Sequence, residues 1–117
     1  MNDEFPYAIE TLLEQCGDSK DIAGIILEEF VVQIADDTKE IKQSLTDGDL
    51  LQAGKAAHRL KGSAGVVGAT KLHSLCIALE QAVKEAKDAD KGAKIYDELK
   101  VEAQRCIDAV PTVREKL

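Results

Sequence analysis

The chain has 117 residues, enough to bury one modest core and too few for a second independent one. Apolar residues make up 44% but aromatic residues only 3%, with no Trp, so the core must come from Leu, Ile, Val and Ala, a helix-rich palette. A formal charge of −7, with no run of Lys or Arg to neutralise a series of phosphates, argues against nucleic acid as a partner.

No stretch has the apolar length of a bilayer span, and the opening Met1-Asn2-Asp3-Glu4-Phe5-Pro6 is acidic where a signal peptide is basic. The expectation is a cytoplasmic protein with no membrane partner. Cys16, Cys76 and Cys106 are odd in number, far apart and set in apolar stretches, which indicates reduced core residues rather than a zinc site or disulfides.

In chain order, a short opening helix is read over 7–15, closed by Gly17, with Asp18 or Ser19 as the cap of the next. The second helix should run over 19–46. Ile22, Ile26, Phe30, Ile34, Ile41 and Leu45 recur at helical spacing, while Glu28, Asp37, Glu40 and Lys42 fill other faces. After Asp47-Gly48-Asp49, a third helix carries a narrow buried stripe through Leu50, Ala53, Ala57, Leu60, Ala64 and Val67. Gly68 breaks it and Thr70 can cap its successor.

The fourth helix shows Leu72, Leu75, Cys76, Leu79, Val83 and Ala86, and the polar stretch from Asp88 to Gly92 turns the chain back. A fifth follows through Tyr96, Leu99, Ala103, Cys106, Ile107 and Val110, stopped near Pro111. Four amphipathic helices on short loops predict an all-α, antiparallel up-down-up-down four-helix bundle with a short additional N-terminal helix. The chain reads as a single domain over 1–117, its bundle core at about 19–110.

The third helix carries the functional anomaly. At roughly 100° per residue, His58 lies about 130° from the centre of the buried stripe and should face solvent. Gly54 and Lys55 stand one turn before it, Lys61 and Gly62 one turn after, and Gly65 beyond. Each Gly in a helix interior costs about 0.8–1 kcal/mol relative to Ala, so a bundle built only for stability would not gather three on an exposed face. Bare backbone around a projecting imidazole lets another protein approach the ring. The lysines supply charge for an anionic group carried there, Lys61 being better placed than Lys55. Arg59 points away from His58 and reads as general surface charge; His73 reads as an ordinary surface or loop-end residue.

The run Ala57-His58-Arg59-Leu60-Lys61-Gly62-Ser63-Ala64-Gly65, followed by Leu75-Cys76-Ile77-Ala78-Leu79-Glu80, resembles the signature of histidine-containing phosphotransfer (HPt) domains of two-component phosphorelays. The resemblance extends over about 19–110 and implies that His58 accepts a phosphoryl group on Nε2 and passes it to or from a receiver-domain aspartate. It also implies that Lys61 lies near the phosphate, that Gly62 admits the receiver, and that Glu80 accepts a hydrogen bond from Nδ1–H of His58. A carboxylate there fixes the tautomer and leaves the Nε2 lone pair free.

The implied partners are receiver domains and a sensor or hybrid histidine kinase, met by a monomer. Ile77, on the flank shared with Glu80, is the candidate docking residue. No cluster of carboxylates near His58 suggests a Mg²⁺ site, so no resident metal or cofactor is expected and Mg²⁺ should come with the receiver.

An enzyme with its own kinase activity is disfavoured, since there is no phosphate-cradling glycine loop and no metal-spaced cluster. The histidine-bearing domain of sensor kinases places an acidic residue after its histidine and a proline shortly beyond, where this chain has Arg59 and Gly62-Ser63. A helical adaptor without chemistry is the other rival.

Overall fold

The computed structural model describes residues 4–117; positions 1–3, the first half of the acidic opening, lie outside them. Among the described residues there is no strand. The helices are α1 (Ile9–Gln15), α2 (Lys20–Thr46), α3 (Leu50–Val66), α4 (Thr70–Glu80), α5 (Ala89–Asp108) and α6 (Val110–Lys116), with a π turn (Gln81–Glu85) continuing α4. α2 packs on α3, α3 on α4, α4 on α5 and α5 back on α2, which closes the bundle expected from the sequence. At about 1.5 Å per residue, the 27 residues of α2 alone account for the 41 Å long axis. α1 lies against α2 and α3, and α6 against α5.

Three helices start on side-chain caps. Ser19 Oγ accepts from the Ile22 amide at 3.2 Å, Asp49 Oδ1 from Gln52 at 3.1 Å, and Asp88 Oδ1 from Lys91 at 3.0 Å. The cap expected at Thr70 is absent: Ala69 holds the N-cap position without a side-chain bond, and the Thr70 hydroxyl turns to the Gly68 carbonyl. Gly68 sits at φ +74°, and a Cβ there would stand 2.7 Å from the Ala8 carbonyl oxygen, so this turn requires glycine to receive the incoming N-terminal segment.

Leu12, Leu27, Ile34, Ile41, Leu60, Leu72, Leu79 and Leu99 are fully buried. α3 contributes Ala53, Ala56, Ala57 and Ala64, small side chains that let its neighbours approach closely. The three cysteines are buried thiols, and burial pushes those of Cys76 and Cys106 up to about 12. Among the described residues, no helix is long and apolar enough to cross a membrane.

Three boundaries and one stripe differ from the sequence reading. The buried line of α2 runs Ala23, Leu27, Phe30, Ile34, Asp37, Ile41 and Ser44, so Ile22 is exposed and Asp37 is inside. Asp37 tolerates burial because Arg59 of α3 reaches it at 2.8 Å. The stretch from Asp88 to Gly92 is not a loop: Asp88 caps α5, whose first turn it opens, and buried Gly92 lets that turn approach Val83. Pro111 does not end the helical structure but stands in the first turn of α6, where its missing N–H costs nothing. Finally, the fourth helical segment changes to π geometry, with the Ala86 amide bonding back to the Gln81 carbonyl at 3.1 Å and Ala86 itself exposed.

Candidate functional site

Midway along α3, the alanine stripe faces the core and turns His58 to solvent, its side chain 61% exposed. α4 brings Glu80 alongside, and His58 Nδ1 lies 2.9 Å from Glu80 Oε2. A carboxylate only accepts, so Nδ1 carries the hydrogen and the neutral ring keeps its lone pair on Nε2, the nitrogen away from the bundle. The same carboxylate receives Lys61 Nζ on Oε1 at 3.0 Å and Lys84 Nζ on Oε2 at 3.1 Å. Desolvation works to raise the Glu80 pKa, but hydrogen bonds from Lys61, Lys84 and His58 outweigh it and hold the carboxyl down at about 2. Glu80 is therefore a fixed anion throughout the physiological range.

The glycine face divides into three different environments. Above Gly62 a Cβ would meet nothing within 4 Å, so the backbone one turn after His58 is open. Gly54 is buried and leaves no opening for a partner, because the aliphatic chain of Lys84 lies across it: a Cβ there would come within 2.6 Å of Lys84 Cγ. Gly65 is exposed, but its flank is taken by the His73 ring, 3.5 Å from where a Cβ would be. Lys55 is exposed one turn before His58, and Ile77 is half-buried.

Other side chains carry roles the sequence did not indicate. His73 Nδ1 donates to the Lys61 carbonyl at 3.0 Å, tying α4 to α3 directly behind the lysine that reaches Glu80. Arg59 is not general surface charge: it bonds Asp37 Oδ1 and Glu40 Oε1, both at 2.8 Å. Gln33 bonds Asp37 on one side and receives the Ser63 hydroxyl at 2.7 Å on the other, which fixes α2 against α3 below the histidine. Lys84 had one legible sign, its place four residues after Glu80 in the favourable Glu-to-Lys order. Among the described residues, no group of three or more His, Cys, Asp or Glu side chains gathers to hold a metal.

An exposed histidine with a free nitrogen, an anchored carboxylate behind it, ammoniums beside it and open backbone above it can pass a small anionic group between macromolecules. Comparison with known proteins points the same way. The Hpt domain family model matches residues 25–112. The fold is similar to the HPT domain of the Hpt sensor hybrid histidine kinase from Shewanella (TM-score 0.84, 21% identity, covering 98% of each chain). It is also similar to histidine-containing phosphotransfer protein B from Pseudomonas aeruginosa (TM-score 0.87, 17% identity, covering 98% of this chain and 99% of that one). No curated protein sequence matches. At those identities the two structures speak for the fold, whereas the family match takes in most of the chain. The chain belongs to the Hpt domain family, the histidine phosphotransfer proteins that work with histidine kinases and receiver domains in two-component phosphorelays.

Proposed function

We propose that His58 is the phosphoacceptor, taking a phosphoryl group on Nε2 from a receiver-domain aspartyl phosphate and returning it to another such aspartate. The observation that carries this reading is the Nδ1-to-Glu80 hydrogen bond at 2.9 Å on a solvent-facing ring. In the forward step the Nε2 lone pair attacks phosphorus, the N–P bond forms, the aspartyl P–O bond breaks and the carboxylate leaves. The ring then carries positive charge, shared through Nδ1–H with Glu80. Lys61 steadies the anionic phosphoryl oxygens, and Lys55 adds charge from one turn earlier.

Gly62 is the place where the receiver comes close, with Ile77 at the edge of its footprint. The module acts as a single monomeric domain in the cytoplasm and carries no kinase activity of its own. Mg²⁺ for the transfer belongs to the receiver. His58→Gln tests the assignment: it should abolish acid-labile phosphate uptake while leaving the thermal unfolding midpoint nearly unchanged, since an exposed ring leaves no cavity. Persistent labelling of the Gln variant would assign the acceptor elsewhere, and His73→Gln should still be labelled.

A further inference from the structure

Glu80 Oε2 is shared: it accepts from His58 Nδ1 at 2.9 Å and from Lys84 Nζ at 3.1 Å. An ordinary surface ion pair contributes little, but this cation sits on the very oxygen that accepts the hydrogen bond from His58 Nδ1–H. Lys84 is also seated rather than free. It belongs to the π turn, which packs on α3, and its methylenes cross Gly54 so closely that a Cβ there would lie 2.6 Å from Cγ, 3.1 Å from Cδ and 2.8 Å from Cε. Gly54 thus forms a trough two structural elements away from Lys84 in the chain, and the trough returns the ammonium to Glu80.

We propose that Lys84 is a positioning residue for phosphoryl transfer: seated on Gly54, its ammonium holds Glu80 Oε2 and tempers the pull of that oxygen on the Nδ1 proton of His58. This rests on His58 being the phosphoacceptor. The nucleophile is the neutral ring, and protonation at Nε2 removes the attacking lone pair. A carboxylate with no cation on Oε2 would stabilise the imidazolium more strongly, so Lys84 keeps the ring nucleophilic to lower pH. After transfer the ring is again positive, and Lys84 limits its stabilisation, which leaves the N–P bond ready to break toward the next acceptor. Among the described residues, the charged groups at His58 are Glu80 from α4, which bonds its ring, and Lys84 from the π turn and Lys61 from α3, which act through Glu80, while Lys55 lies exposed one turn earlier on α3.

The test uses the full chain with phosphoramidate as donor, so that no partner protein is needed. Phosphorylation forms the Nε2–P bond as the donor's P–N bond breaks and ammonia leaves. Lys84→Met keeps methylenes over Gly54 and removes the charge. It should move the acid limb of the uptake profile, and the His58 ring titration followed by NMR, to higher pH by roughly half a unit. Gly54→Ala should move both in the same direction by dislodging the lysine, and Lys84→Arg should restore the wild-type limb. A folded Lys84→Met protein whose ring titration matches wild type overturns the proposal and leaves Lys84 as packing over Gly54. The acceptor assignment fails separately: there, His58→Gln would still take up phosphate, whatever the ring titration of the Lys84 variant.

Discussion

At the scale of single residues the site turns on Glu80, whose carboxyl is held at about 2 against desolvation by Lys61, Lys84 and His58. A carboxyl depressed in the folded state contributes stability that is complete above its ordinary value of 4.5 and is lost as pH falls toward the folded value near 2. Glu80→Gln should therefore be less stable than wild type at neutral pH, by about 1 kcal/mol once solvent screening of this rim cluster is allowed for. Urea unfolding across pH should show that deficit closing between pH 4.5 and 2. A deficit that stays constant over that window would mean that the charge of Glu80 is not what the lysines recognise. The solvent-facing position of His58 with Lys61 beside it was legible because the two share one helical face, and the Glu80 contact because that residue matches a family position. Lys84 on Gly54, His73 on the Lys61 carbonyl and Arg59 on Asp37 were not, since each depends on which helix lies opposite.

Among the secondary-structure elements, α3 has the clearest division of labour: an alanine stripe inside, and three glycines in different environments, Gly54 buried under Lys84, Gly65 beside His73 and Gly62 open. Of these three, Gly62 has free space above it, so on the proposed reading partner access can be tested apart from the chemistry of the ring. Gly62→Leu should block transfer from a phosphorylated receiver, yet leave uptake from phosphoramidate within about twofold, because a donor of a few atoms does not need the backbone cleared. Helix propensity improves by up to about 1 kcal/mol in that variant, so the loss would not come from unfolding. Equal loss with both donors would place the defect in His58 rather than in docking. The helices themselves were readable from apolar spacing and caps. Boundaries failed where a residue has two meanings: Asp88 both begins a polar run and caps α5, and Pro111 reads as a helix stop yet stands in the first turn of α6. The π turn leaves no mark in apolar spacing, since Ala82 and Val83 are buried on a line an α-helix would also supply.

For the whole molecule the relevant quantity is charge. The chain carries a formal −7, yet among the described residues the ammoniums of Lys61 and Lys84 converge on the Glu80 carboxylate that bonds His58, and Lys55 lies exposed one turn before the ring. On the proposed reading that local excess suits a phosphoryl group carried on Nε2. It is less suited to the moment of transfer, when the phosphoryl oxygens and the aspartate carboxylate converge and more positive charge is needed than lysines at the rim supply. On the proposed reading a divalent ion brought by the receiver meets that need, and the carrier should then require no metal to fold or to hold phosphate. Chelating Mg²⁺ should stop transfer between a phosphorylated receiver and this chain, leave uptake from phosphoramidate intact, and leave the thermal unfolding curve of the isolated domain unchanged. A fall in unfolding midpoint on chelation would reveal a metal bound to the chain itself, and receiver transfer that persists without Mg²⁺ would mean that the lysines around His58 suffice.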